Sequence, residues 1–273
     1  VAVIGALAPG HIDGLSMAGG QTSAELKFAG AADKPMQFSF NADLKNIDSL
    51  VYNASPEIKK FSAQLSMTGK VADGSISSEI GISDAALVIP SRKIDMNKAL
   101  IKLRVESAPE NLSLTGSASV PRFDFDLPVS STNRSSYLFP FIDVSSSFSY
   151  SDNVFTINSA QAKLFGGSLS GSGKVFTGKT PVRLQVNAKG SGLRAESFLD
   201  SNTTQKQVIT GPAGGTFNAD GDIETLSSWN GTGSLHMQNG RYNTPPVVTP
   251  FLSLVNLKEY SSGDISEASA TFV

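Results

Sequence analysis

The sequence predicts a mainly β fold: an elongated antiparallel sheet curled into an open groove, with a few short helices capping it. Three observations carry this. Apolar residues recur at every second position over long stretches, turn signals rich in Gly, Asn and Asp separate those stretches, and helical spacings are few and short.

The elements follow in order. The opening Val1-Ala2-Val3-Ile4-Gly5-Ala6-Leu7-Ala8-Pro9 is too short to span a membrane as a helix and reads as a strand. Met36, Phe38, Phe40, Ala42 and Leu44 then alternate with Gln37, Ser39, Asn41 and Asp43, so one face is apolar and the other wet. Ser55-Pro56 has the form of an N-cap and first helical residue leading into Glu57-Ile58-Lys59-Lys60-Phe61, a short helix. Ala72-Asp73-Gly74 marks a turn.

Further strands contain Ile101, Leu103 and Val105, then Leu112 and Leu114, then Phe123, Phe125 and Leu127 alternating with Asp124 and Asp126. Residues 128–137 are polar and without period, which makes 129–142 a linker between two regions, 1–128 and 143–273. Beyond it, Phe148 and Tyr150, Phe155 and Ile157, Leu169, the set Val182, Leu184 and Val186, and Phe217 with Ala219 continue the strand pattern. Residues 193–199 make about two helical turns. Ala219-Asp220-Gly221 and Gln238-Asn239-Gly240 read as turns, with Leu235 and Met237 on the strand before the latter. Thr249 caps a helix opened by Pro250, whose Phe251, Leu254 and Val255 fall on one side as a capping helix. A last strand, 268–273, stops in mid-pattern, and the chain reads as a fragment of something longer. A weak repeat sets Asp48-Ser49-Leu50-Val51 beside Glu196-Ser197-Phe198-Leu199, each closing a strand-to-helix corner, with Thr68-Gly69-Lys70-Val71 and Asp220-Gly221-Asp222-Ile223 about twenty residues further on.

Composition narrows the function classes. With 273 residues and 40% hydrophobic content the chain can bury a sizeable core. A net charge of −2 leaves no basic surplus for a phosphate backbone, so nucleic acid is not an expected partner. Cysteine is absent, which removes disulfides, thiolate metal sites and a cysteine nucleophile. His11 and His236 are too few and too far apart in sequence for a histidine metal site, and none is expected.

A search for reactive chemistry yields no enzyme. The run from Gly166 to Lys174 has the glycines of a phosphate loop, but Ser168 and Val175 occupy positions where that motif needs glycine and a hydroxyl residue; two strands joined at a glycine turn explain it. His236 lies between Leu235 and Met237, hence on the wet face of a strand, where a solvated histidine explains it better than the general base of a serine triad. Asp124 and Asp126 share one strand face without the glycine-bearing loop of a calcium site. No cofactor is implied.

Between 143 and 273, Phe155-Thr156-Ile157-Asn158-Ser159-Ala160 leads into Leu164-Phe165-Gly166-Gly167-Ser168-Leu169-Ser170-Gly171-Ser172-Gly173. The short helix 193–199, the strand Thr216-Phe217-Asn218-Ala219-Asp220-Gly221 and the strand running from Trp229 through Asn239-Gly240 to Tyr242 follow. A proline-led helix (245–260) and a strand (268–273) complete the order. Together, in this order, these stretches resemble the C-terminal region of the AsmA-like family of bacterial envelope proteins. The resemblance implies a periplasmic protein tethered to the inner membrane by an anchor outside this sequence. It also implies the role of the wider group, TamB-like proteins included, in phospholipid transport to the outer membrane and in its integrity, and envelope protein partners.

Elementary physics fits that expectation. An acyl chain in water costs about 0.8 kcal/mol per methylene, so ~16 carbons cost on the order of 12 kcal/mol. A sheet with one apolar face gives such a chain a floor. The expected floor residues are Phe38, Phe40, Leu44, Leu169, Val182, Leu184, Val186, Leu235 and Met237. Two other classes compete: a structural or adhesive extracellular protein in which the same alternation packs two sheets together as a β-sandwich, and a carbohydrate-active enzyme, for which the single Trp229 and the lack of an acid pair speak poorly.

Overall fold

The computed structural model describes residues 15–30, 34–52, 57–90, 94–108, 111–128, 136–178, 180–202, 208–222, 225–243 and 262–272. It is mainly β, with one antiparallel sheet of 15 strands that does not close into a barrel. Among the described residues there is a single short helix. Every described strand belongs to this one sheet.

Two compact units divide the chain: Val1–Asp126 with Phe141–Asp152, and Leu127–Pro140 with Asn153–Val273. The first unit holds β1 (Leu15–Ala18), β2 (Gln21–Ala29), β3 (Met36–Tyr52), β4 (Ile58–Ala72), β5 (Ser75–Ile89), β6 (Ile94–Ala108) and most of β7 (Asn111–Pro128). β1 and β2 both pair with β3, and the rest form a meander in sequence order. Strand β8 (Ser136–Ser151) contributes residues to both units. The second unit continues with β9 (Val154–Leu164), β10 (Gly167–Phe176), β11 (Arg183–Arg194), helix α1 (Ala195–Asn202), β12 (Ile209–Thr210), β13 (Pro212–Asp222), β14 (Thr225–Asn243) and β15 (Ser262–Phe272). There β13 follows β11 in the sheet, and β14 takes β13, β12 and β15 as neighbours.

Tight turns explain the meander. Asp73-Gly74, Asp152-Asn153 and Phe165-Gly166 each place two consecutive residues at φ between 47° and 77°, the two-residue hairpin geometry that matches strand twist.

A line of bulges makes the small core of the first unit. Asn46, Lys60, Asp84 and Lys98 take φ of 50–54° inside β3, β4, β5 and β6, where the ladders shift register. Each bulge inserts an unpaired residue and bends its strand. The next residues of three of these strands, Ile47, Ala85 and Ala99, are buried at 1%, 3% and 0% exposure. Ala63, Ala85, Ala99 and Val120 form the core cluster, with Phe61, Ile82, Met96, Phe123 and Val144 packed around it. Ile47 is the one large side chain fully buried among the described residues.

Several sequence expectations are corrected. Ile58–Phe61 is the start of β4, not a helix; the pairing of Ser49 with Lys59 and Leu50 with Ile58 overrides the Ser-Pro capping signal. Residues 136–142 of the expected linker are strand, where Tyr137, Phe139 and Phe141 supply the apolar alternation that Ser136, Leu138 and Pro140 obscure. Ala219-Asp220-Gly221 lies within β13, and Gln238-Asn239-Gly240 is a bulge within β14, with Asn239 at φ 53°, rather than a turn. The repeat does not hold at its corner, since Asp48–Val51 is strand and Glu196–Leu199 is helix. The helix expected at 193–199 runs instead from Ala195 to Asn202. The opening strand, His11 and the helix carrying Phe251, Leu254 and Val255 lie outside the described residues.

Candidate functional site, a half-exposed apolar sheet face

Directly paired residues of an antiparallel ladder share a face, so the registers show what each face carries. In the first unit one row reads Leu26, Phe40, Met67, Ile80, Leu103 and Gly116 across six strands. The next reads Ala24, Ala42, Leu65, Ile82, Ile101 and Ala118. A third, Phe28, Phe38, Gly69, Ser78, Val105 and Leu114, admits one polar residue. Gly69 is required there because the Phe38 ring lies over it: a Cβ would sit 2.4 Å from the ring's Cζ.

The second unit repeats the segregation with smaller residues. Leu169, Gly190, Gly215, Leu235 and Ala270 form one row; Gly171, Ala188, Phe217 and Gly233 the next; Gly173, Val186, Ala219 and Gly231 a third. Val175, Leu184 and Gly221 form a fourth, and the Trp229 ring packs over Gly221 while its indole N–H donates to the Asp222 carbonyl at 2.9 Å.

The intervening rows are hydrophilic. Lys27, Ser39, Thr68, Glu79, Arg104 and Thr115 cross the first unit, and Ser170, Lys189, Thr216 and Ser234 the second. Ion pairs on this side join residues two apart on one strand: Lys27 with Glu25 at 3.0 Å, Arg104 with Glu106 at 3.0 Å, Arg122 with Asp124 at 3.0 Å. Exposed pairs of this kind add little stability. The Arg104 and Ser77 hydrogen bonds nevertheless hold the Glu106 carboxyl below its ordinary range. Surface depressions occur over these rows, one around Thr68, Glu79 and Arg104 and another around Asn187, Asn218 and Asn230.

The expected floor residues fall out as follows. Phe38, Phe40 and Leu44 share one face of β3 in the first unit. Leu169, Leu184, Val186, Leu235 and Met237 share one face in the second, through their ladders with Gly190, Gly221, Ala219, Gly215 and Ala213. Val182 lies just ahead of β11, outside the ladder. Sequence reasoning did not include Leu26, Met67, Ile80, Ile82 and Leu103 in the floor; only the cross-strand registers bring them beside Phe40. His236 is exposed and lies between two apolar-face residues, on the hydrophilic side.

What sets this face apart is incomplete burial. Phe28 is 60% exposed, Leu235 54%, and most of the row residues between them in sequence are half-buried. A sheet whose apolar side is its core would hide such side chains.

One end of this face in the second unit is different. Helix α1 sets Phe198 against Phe165, Tyr137 and Phe139, with ring centroids 5.4, 5.4 and 6.2 Å apart. Asn202 accepts from the Leu138 N–H and donates to the Leu138 carbonyl at 3.1 Å, as a neighbouring strand would. At the helix start Glu196 accepts from the Gly211 N–H at 2.9 Å, with Arg194 at 3.6 Å. Partial burial raises the Glu196 pKa, but the Gly211 N–H and Arg194 outweigh it and hold the carboxyl below the ordinary glutamate range. The clasp is therefore complete at neutral pH and weakens as pH falls through that lowered value. The Gly211 amide resonance is expected to titrate with a midpoint below that of an unperturbed glutamate, and Glu196→Gln to abolish the titration.

Among the described residues no three His, Asp or Glu side chains gather as a metal site. Asp124 is engaged by Arg122, and the side chain of Asp126 lies outside the described residues. No helix among the described residues is long and apolar enough to cross a membrane. Comparison with protein-family models, curated proteins and solved structures finds no match to this chain.

Proposed function

We propose that this chain is a non-enzymatic lipid-transfer protein of the bacterial envelope, whose apolar sheet face carries the acyl chains of phospholipids while the headgroups stay in water. The observation that supports the reading is the run of apolar rows, up to six strands wide, left half-exposed on one side of the sheet. Large exposed apolar patches are costly in soluble proteins and mark surfaces that meet an apolar partner. A hydrocarbon tail suits such rows because it asks for contact area and no fixed hydrogen bonds, at about 0.8 kcal/mol for each methylene removed from water.

The resemblance to AsmA-like and TamB-like proteins adds the compartment: the periplasm, with a tether to the inner membrane supplied outside this sequence, and a role in maintaining the outer membrane. Envelope protein partners belong to the same proposal. Nothing in the reading calls for a cofactor or metal.

The test is photo-crosslinking in cells. A photoreactive side chain at Phe40 or Leu184 is expected to label phospholipid, and one at Ser39 or Gln185, the adjacent positions on the other face, is expected not to. Equal labelling from both faces, or gently extracted protein with no phospholipid by mass spectrometry, overturns the reading.

A further inference from the structure

The apolar face of the second unit has an end wall. β9 turns back at Phe165-Gly166, and there Leu164 and Phe165 are buried, whereas Phe217, one row away, and Leu235, two strands beyond Gly190 in the Gly190 row, remain 40% and 54% exposed. Helix α1 supplies the difference through Phe198, which lies edge-on to Phe165 and tilted against Tyr137. The helix is pinned on both sides. The Arg194 N–H donates to the Phe165 carbonyl at 2.8 Å, the Ala195 N–H to the Gly211 carbonyl at 3.1 Å, and Asn202 holds the Leu138 backbone. Leu193, the last apolar residue before the helix, stands over Gly190: a Cβ on Gly190 would lie 2.8 Å from its Cδ1.

We propose that Leu193, held in place by the pinned helix α1 that follows it, is an end-stop that sets the acyl-chain length this face accepts and is its specificity-determining residue; the inference rests on the lipid reading above. A chain lying along β11 from Leu184 meets Leu193 after the eight ladder steps that separate their partners Gly221 and Ala213, about 26 Å at ~3.3 Å per residue. Beyond Leu193 the strand passes into α1, whose Phe198 packs on Phe165 and Tyr137. Each methylene laid on the face raises affinity about fourfold. Methylenes that would pass the stop find no apolar floor and add nothing, so affinity rises with chain length and then levels.

The experiment is competition between a fluorescent phospholipid and phosphatidylglycerols with acyl chains of about 12 to 26 carbons, on the whole chain. The wild type is expected to show a roughly fourfold gain per methylene and then a plateau. Leu193→Ala removes the side chain that stands over Gly190 and moves the plateau to longer chains. Leu169→Trp, beside Gly190 on the face itself, moves it to shorter ones and keeps the question answerable if Leu193→Ala unfolds. An unchanged plateau in both variants overturns the end-stop and leaves the lipid reading standing. No competition at any chain length overturns both.

Discussion

Val186→Asp is expected to lower phospholipid retention at least tenfold, while Asn187→Asp one position away leaves it unchanged. Val186 faces Gly173 on one neighbouring strand and Ala219 on the other, so little side-chain bulk stands between it and whatever lies on the floor. A carboxylate there has two choices: stay hydrated and exclude hydrocarbon from the row, or lose its water beneath the lipid. Desolvating an unpaired charge costs several kcal/mol, far more than the ~1.4 kcal/mol of a tenfold loss. Val186 is only half-buried, so the free protein keeps the new charge wet and the sheet intact, which circular dichroism checks. Asn187 pairs with Ser172 and Asn218 on the hydrophilic side, where one more carboxylate meets only polar neighbours and water. Retention is read by quantifying phospholipid that copurifies with each variant. Equal retention by the two variants places the lipid elsewhere and removes the apolar face from the mechanism.

That contrast between adjacent residues was legible in the sequence wherever alternation runs unbroken. From Met36 to Leu44 every second residue is apolar, and the ladder places them on one face as the pattern requires. The legibility ends at Asn46. There the chain gains a residue, and Ile47 turns inward instead of Asn46; no local propensity announces this, because a bulge is fixed by neighbouring strands as much as by its own residue. Lys98, also at positive φ, shows the same limit, since lysine has no preference for that conformation. Gln238-Asn239-Gly240 carries the composition of a turn and forms a bulge, because the chain on both sides of it continues to pair with β15.

The floor was half legible for a related reason. Phe38, Phe40, Leu184 and Val186 could be assigned to a face within their own strands, whereas the neighbours that complete the rows depend on register. The helix at 195–202 was foreseen within a few residues, but its role was not. That depends on Phe198 reaching Tyr137 and Phe139, about sixty residues earlier in the chain. The Ser55-Pro56 signal misled because a capping pattern is a local preference worth about 1 kcal/mol, easily overridden by a fifteen-residue strand with partners on both edges.

The largest stability effect is expected from Ile47→Ala, at about 2–5 kcal/mol, the range for deleting a fully buried aliphatic side chain. Ile47 is 1% exposed and pairs with Phe61, while the preceding Asn46 N–H is held by the Ser62 hydroxyl at 3.0 Å. Those contacts fix the bulge line from which the core cluster of the first unit is built, so the cavity left by truncation cannot close by a simple shift. Ile76→Ala makes the same chemical change on the apolar face, at a side chain 40% exposed. Full burial of an isoleucine is worth roughly 1.5–3 kcal/mol, and this one retains much of its contact with water, so about 1 kcal/mol or less is expected. Urea unfolding of the whole chain, followed in the strand signal of circular dichroism, separates the two. With two compact units the transition need not be two-state, and the comparison rests on the shift in midpoint of each variant under identical conditions. Equal shifts would mean that the apolar face is itself the core that holds the sheet together. A large shift for Ile47→Ala alone means that the sheet stands on its ladders and bulge line, leaving the face free to carry something else.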